Sequence, residues 1–156
     1  MERRMAVRTV FLIGTNHFYQ RPGSPEEFRT LLEVTCEEHD IALLAEEMSL
    51  DGLSGATASI CKQVADVVGI PHVYGDPSRE EQKKLGIAHP GRTGDPVADA
   101  RRQQYWLAQI LQQNSWPVLF ICGGAHTMSF RELLQAHDIV VRVLFERWQR
   151  PQDEWL

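Results

Sequence analysis

The chain has 156 residues, of which 43% are hydrophobic and 24% are charged, and its formal net charge is −5. This length favours one domain over residues 1–156 with a single hydrophobic core. An acidic balance gives no electrostatic reason to expect nucleic acid as a partner, and the apolar runs are far shorter than the roughly 20 residues that span a bilayer. We therefore expect neither a nucleic-acid nor a membrane partner.

Strand-like and helix-like segments alternate along the chain. Short apolar runs predict strands over 8–13, 41–48, 72–74, 118–122 and 139–147. Helical signals predict a helix after Ser24, a second over 56–68, a short one at the start of the polar segment 78–96, a long helix from Asp95 to about Asn114, and a last one up to His137. Capping boxes are predicted at 24–27 and 129–132. The alternation predicts a three-layer α/β/α fold with a mainly parallel sheet of about five strands, the last of them at an edge.

The three cysteines, Cys36, Cys61 and Cys122, are an odd number and form no Cys-x-x-Cys pair. This usage argues against a disulfide framework or a zinc ribbon. Two of them lie on the apolar faces of predicted helices, where a free thiol behaves as a small hydrophobe. Free thiols suit a reducing compartment, so we expect a cytoplasmic protein.

Polar residues follow each of the first four predicted strands. Gly14-Thr15-Asn16-His17 follows the first strand and Gly123-Gly124-Ala125-His126 follows the fourth, while Glu46 and Glu47 end the second and Asp76 follows the third. The carboxyl ends of parallel strands meet at one edge of the sheet, where open α/β folds bind ligands. Two imidazoles and several carboxylates at one edge form either a ligand set for a divalent metal or an acid–base constellation.

The strand ends carry two further signals. Gly14, Gly123 and Gly124 lack a Cβ, so we expect them to let the backbone turn sharply and a ligand or cofactor approach closely. Glu46 and Glu47 are adjacent, so their side chains point to opposite faces of a strand. Only one of the two can enter a given pocket, and the sequence leaves open which.

The order strand–GTNH, LLAEEM, strand–GGAH resembles the TraB/Tiki/erythromycin-esterase/ChaN superfamily. That superfamily is marked by two Gly-x-x-His motifs with an intervening Glu and an Arg on an α/β scaffold. The resemblance implies matched positions at Gly14, His17, Gly123 and His126, an acid at Glu46 or Glu47, and an arginine at Arg101 or Arg102. Its members include metal-dependent proteases, an esterase that hydrolyses macrolides, and haem-binding proteins, so the fold does not select one activity.

The leading functional expectation is a metal-assisted hydrolase acting on a small-molecule or peptide substrate with an ester or amide bond. His17, His126 and one of Glu46 and Glu47 would bind a divalent ion such as Mn²⁺, Co²⁺ or Zn²⁺. Such an ion lowers the pKa of a bound water towards neutrality and polarises the scissile carbonyl.

The other polar residues at this edge have candidate roles in the same reaction. The carboxylate that does not bind metal, or Asp76, would act as general base, and Arg101 or Arg102 would stabilise the developing oxyanion. A metal-free version, in which one histidine alone is the base, is a second form of the hypothesis.

The alternative is a binding or sensing module that holds haem or a small ligand at the same edge without turning it over. Haem would need an axial His, or a Tyr such as Tyr19 or Tyr74, beside an apolar slot. The Gly- and Pro-rich segment 86–95 is either a lid that brings His89 or Arg92 to a bound substrate or a plain connector. A homo-oligomer is compatible with the sequence.

Overall fold

A computed structural model describes residues 7–53, 58–87 and 95–153 of the chain. Its strands are β1 (Thr9–Thr15), β2 (Leu43–Glu46), β3 (His72–Tyr74), β4 (Val118–Gly123) and β5 (Val140–Trp148). Its α-helices are α1 (Glu26–Glu38), α2 (Ile60–Val68), α3 (Arg79–Lys84), α4 (Pro96–Gln113) and α5 (Thr127–Ala136). Short 3₁₀ turns lie at His17–Gln20, Leu50–Leu53 and Gly124–His126. The predicted three-layer α/β architecture is confirmed.

The five strands form one parallel sheet in the order β3-β2-β4-β1-β5. The chain leaves β1 towards β2 and β3, but it leaves β4 in the opposite direction, towards β5. The carboxyl ends of the adjacent strands β1 and β4 therefore form a topological switch point, which is where open α/β sheets bind ligands. Both Gly-x-x-His motifs begin at the ends of these two strands.

The sheet is covered on both faces, which explains why its strands read as almost continuous apolar runs. Successive side chains of β1 alternate between two cores: Phe11 and Ile13 pack with residues of α1 and α2, whereas Val10 and Leu12 pack with residues of α4 and α5. Strand β5 lies at an edge, as predicted, and its Phe145 is partly exposed.

The two predicted capping boxes, at 24–27 and 129–132, do not form. Helix α1 has Pro25 at its N-cap without a side-chain hydrogen bond, and α5 begins earlier than predicted, with His126 at its N-cap. A complete capping box stands instead at Ser78–Glu81, where it begins α3. The S-x-x-E pattern identifies a box only where the chain enters the helix at the serine, and tertiary packing decides that point.

Within the three described ranges, no helix is long and apolar enough to cross a membrane. The segment 86–95, predicted as a lid or a connector, lies outside the described residues except at its ends, and so do His89 and Arg92.

Candidate functional site

Glu47 lies at the centre of a charged cluster at the carboxyl edge of the sheet. Its Oε2 atom is 2.6 Å from Arg102 Nη2, 3.5 Å from His17 Nε2 and 3.7 Å from His126 Nε2. Its Oε1 atom accepts the backbone N–H of Gly123 at 2.9 Å. The side chains of both Gly-x-x-His motifs therefore meet on one carboxylate that is only 3% exposed.

The charges of Glu47 and His17 stabilise each other. Burial alone would raise the pKa of Glu47, but His17, Arg102 and His126 outweigh it and lower that pKa to about 2. Burial likewise lowers the pKa of His17, but the neighbouring Glu47 carboxylate outweighs it and raises that pKa to about 9. At neutral pH the pair is therefore an ion pair, with Glu47 ionised and His17 protonated.

Arg102 holds a second carboxylate beside the first. It lies in α4. The N-cap of this helix is Asp95, whose side chain accepts hydrogen bonds from N–H groups of the first turn. Arg102 donates from Nε and Nη2 to the two Asp76 oxygens at 3.1 Å each, and Trp106 Nε1 donates to Asp76 at 2.8 Å. Burial raises the pKa of Asp76, although Arg102 opposes this shift. Arg102 is therefore shared between Glu47 and Asp76.

Arg101 does not contribute to the cluster, contrary to one of the two predicted alternatives. Its guanidinium is exposed and donates to the carbonyls of Leu85 and Gly86 at 3.1 and 2.8 Å. Successive residues of an α-helix point about 100° apart, so only one of this pair of arginines can face the sheet edge.

Glu46 does not enter the cluster either, so the prediction of Glu46 as a metal ligand or general base is corrected. Its side chain is 0% exposed and faces the α1–α2 side of the sheet. There it is bonded to His72 Nε2 at 2.5 Å, to Ser59 Oγ at 2.6 Å and to Gln20 Nε2 at 3.0 Å. Glu47, the next residue along, points to the opposite side.

Little in the sequence indicated Gln20, which links His17 to Glu46. Its Oε1 atom lies 2.7 Å from His17 Nδ1, while its Nε2 atom donates to Glu46. The only available signal was the i, i+3 spacing of His17 and Gln20, which brings both side chains to one side of a 3₁₀ turn. His72 and Ser59 were also missed, since a single histidine or serine outside a motif gives no such signal.

The three glycines at the strand ends allow close approaches by other parts of the chain itself. A Cβ at Gly123 would lie 3.0 Å from His17 Nε2, so glycine allows the imidazole to approach the end of β4. A Cβ at Gly14 would lie 1.9 Å from the Glu146 carbonyl oxygen, and one at Gly124 would lie 2.6 Å from Arg147 Cγ. The space beside Gly14 and Gly124 is thus filled by β5, and at Gly14 also by Thr127.

A cleft of about 300 Å³ opens over this cluster. Its wall includes His17, Glu47, Asp76 and Arg102, together with residues that follow β2. The His17 side chain is 42% exposed, in contrast to the buried Glu47 beneath it. The imidazole is therefore the ionisable group of the His17–Glu47 pair that a ligand or a water molecule in the cleft can reach.

The arrangement of this cluster suits proton transfer better than the binding of a divalent ion. Arg102 already places a positive charge 2.6 Å from the Glu47 oxygen that both histidines face, and Gly123 uses the other oxygen. Among the described residues, no group of three or more His, Cys, Asp and Glu side chains is placed to hold a metal ion. The haem alternative gains no axial ligand from Tyr19, since this residue is buried and its hydroxyl donates to Asp153.

Comparison of the chain with protein-family models, with curated proteins and with solved structures gives no match. The resemblance to the TraB/Tiki/erythromycin-esterase/ChaN superfamily therefore stays a prediction that rests on the paired Gly-x-x-His motifs.

Proposed function

We propose that this protein is a hydrolase of ester or amide bonds in small substrates, and that His17 is its general base and acid. One observation carries the proposal: His17 is exposed to the cleft, while its two ring nitrogens face Gln20 at 2.7 Å and the ionised Glu47 at 3.5 Å. An accessible imidazole oriented by one group and paired with a carboxylate has the features that general acid–base catalysis needs.

The proposed reaction uses a water molecule as nucleophile. Neutral His17 takes a proton from this water as its oxygen forms a bond to the substrate carbonyl carbon. The tetrahedral intermediate then collapses, the bond from carbon to the leaving oxygen or nitrogen breaks, and imidazolium returns the proton to that atom. Protons and electrons balance without a redox partner.

Glu47 and Arg102 support this reaction electrostatically. The Glu47 carboxylate, 3.5 Å from His17 Nε2, stabilises the imidazolium charge that forms when His17 takes the proton. Arg102 keeps Glu47 ionised and adds positive charge to the wall of the cleft, where an oxyanion would develop. The predicted oxyanion role therefore falls to Arg102 and not to Arg101.

A metal-assisted form of the same hydrolase stays a separate proposal. It would use His17, His126 and Glu47 as ligands, and the ion would activate water. It requires Arg102 to give up its bond to Glu47, since the guanidinium occupies that oxygen. Metal analysis of the purified protein, before and after reconstitution with Mn²⁺, Co²⁺ or Zn²⁺, distinguishes the two forms.

The test is a hydrolysis screen with small aryl esters and anilides, comparing wild type with His17→Ala and with His137→Ala. His137 is an exposed histidine at the end of α5, so it controls for unspecific hydrolysis by surface imidazoles. We expect activity in wild type and in His137→Ala, and a loss of at least about 100-fold in His17→Ala. Equal rates in all three proteins would refute the proposal.

Binding of a small ligand without turnover would instead support the sensing module. In that case the same His17→Ala variant should lose ligand affinity, because His17 lines the cleft.

A further inference from the structure

Four buried polar side chains lie behind the proposed base, and apart from the contact of Gln20 with His17 the reaction described above does not use them. Gln20, Glu46 and Ser59 are each 0% exposed, and the side chain of His72 is 2% exposed. Burying polar groups costs free energy unless each of them finds a partner. This network therefore has a defined set of hydrogen bonds, and their directions can be assigned.

Glu46 accepts every bond that it makes within this network. Its Oε1 atom faces Gln20 Nε2 at 3.0 Å, and its Oε2 atom faces Ser59 Oγ at 2.6 Å and His72 Nε2 at 2.5 Å. These carboxylate oxygens accept, so the partner atom on Gln20 is the amide nitrogen.

The backbone gives the same orientation for the Gln20 amide. Its Nε2 atom also lies 3.4 Å from the carbonyl oxygen of Glu47, which is an acceptor too. The amide nitrogen thus faces two acceptors, and the amide oxygen is left to face His17 Nδ1 at 2.7 Å. Because an amide oxygen only accepts, Nδ1 of His17 has to carry the proton.

We infer that Gln20 is a positioning residue that fixes His17 in the Nδ1–H tautomer, and that Glu46 sets this tautomer from the far side of the sheet by orienting Gln20. Neutral His17 then carries its lone pair on Nε2, whose distance of 3.5 Å from Glu47 is too long for a strong hydrogen bond that would favour the other tautomer. The acid that does not enter the cleft thereby decides which nitrogen of the base is available. The catalytic consequence depends on the proposed function, but the tautomer itself does not.

The inference is tested by long-range ¹H–¹⁵N NMR of the histidine rings in the ¹⁵N-labelled protein, at a pH one unit above the measured pKa of His17. His17→Ala assigns the ring signals. We expect the Nδ1–H tautomer to outnumber the Nε2–H tautomer at least about tenfold in wild type, since Nδ1 lies 2.7 Å from the Gln20 oxygen whereas Nε2 lies 3.5 Å from Glu47, beyond the range of a strong hydrogen bond. In Gln20→Leu this preference should be lost.

Two further variants separate positioning from general damage. Glu46→Gln keeps the side-chain volume but allows the Gln20 amide to turn over, so we expect a mixture of His17 tautomers. Gln63→Leu removes a comparable amide, whose bonds go to Arg29 and Ala58, and should leave the His17 signals unchanged.

A wild-type protein in which Nε2–H predominates would overturn the inference. So would a Gln20→Leu or Glu46→Gln variant that is folded, by its amide spectrum, and keeps the wild-type tautomer ratio. Neither result depends on a substrate, so the failure of this inference and the failure of the hydrolase proposal are distinguishable.

If hydrolysis is found, Gln20→Leu should lower kcat more than it changes KM, because Gln20 is buried behind His17.

Discussion

Replacing Glu47 with glutamine is the sharpest test of the charge cluster, since the substitution keeps the shape of the side chain and removes its charge. The amide oxygen of the new side chain can still accept the N–H of Gly123. The other end presents an NH₂ group to Arg102 and to the two histidines, where an acceptor stood before. The perturbation therefore acts on the ion pairs and leaves the packing in place.

The structure sets the expected size of this effect. Removing one partner of a buried ion pair costs about 3–5 kcal/mol, because the other charge is left uncompensated. Arg102 retains Asp76 at 3.0 Å, so we expect the lower end of that range, about 3 kcal/mol. For a chain of this size this corresponds to a fall in Tm of about 6–12 °C.

The pH dependence of stability provides an independent readout. The raised pKa of His17 contributes stability that is fully present below 6.5 and is lost as the pH rises through about 9. The lowered pKa of Glu47 contributes stability that is present above 4.5 and is lost as the pH falls towards about 2. Both losses should be absent from Glu47→Gln. In this variant the pKa of His17 should also fall below 6.5, because burial and the Arg102 charge both lower it and only the hydrogen bond to Gln20 still raises it.

The assay is thermal and urea unfolding between acidic and alkaline pH, with NMR titration of His17. Glu132→Gln, at an exposed position of α5, is the matched control and should change stability by no more than about 0.5 kcal/mol. If Glu47→Gln unfolds with the wild-type Tm and keeps the wild-type pH dependence, the ion-pair interpretation of the cluster is wrong.

Four other predictions follow from particular contacts. Gly14→Ala should destabilise the protein by about 1–3 kcal/mol or more in urea unfolding, because its Cβ would lie 1.9 Å from the Glu146 carbonyl oxygen. Gly52→Ala should destabilise the protein less, because its Cβ would lie 3.2 Å from the sulfur of a flexible methionine side chain. The opposite ranking of the two variants would contradict this prediction. Trp106→Phe should cost about 1–3 kcal/mol, since it removes one of the donors to the partly buried Asp76; an unchanged Tm would contradict this. The three cysteines should not react with a thiol reagent in native protein, because all are buried and burial raises the pKa of each; rapid labelling of any one would contradict this. If His17 is the base, hydrolysis should rise about tenfold per pH unit up to its pKa of about 9, and a flat profile over that range would contradict this role.

The sequence by itself determined the layered fold and the edge at which the site lies. Short apolar runs and intervening helical periodicity are local signals, and in this chain each kind of signal led to the kind of element that it predicts. The location of the site at the carboxyl edge could be inferred from the parallel sheet, since all strands of such a sheet end on the same side. The convergence of His17 and His126 could therefore be expected from two motifs more than a hundred residues apart in the chain.

Only the tertiary structure decided which of the adjacent acids and arginines enters the cleft. The residues before Glu46 and Glu47 are buried on both faces of the sheet, so the strand carries no polarity contrast that tells its two faces apart. The choice between Arg101 and Arg102 depends on how α4 is rotated about its axis, which its packing of Trp106 and Leu107 against the sheet fixes. The link through Gln20 to Glu46 joins three chain segments across the sheet, and hydrogen bonds of this kind follow from side-chain directions that packing sets and that no local sequence pattern encodes.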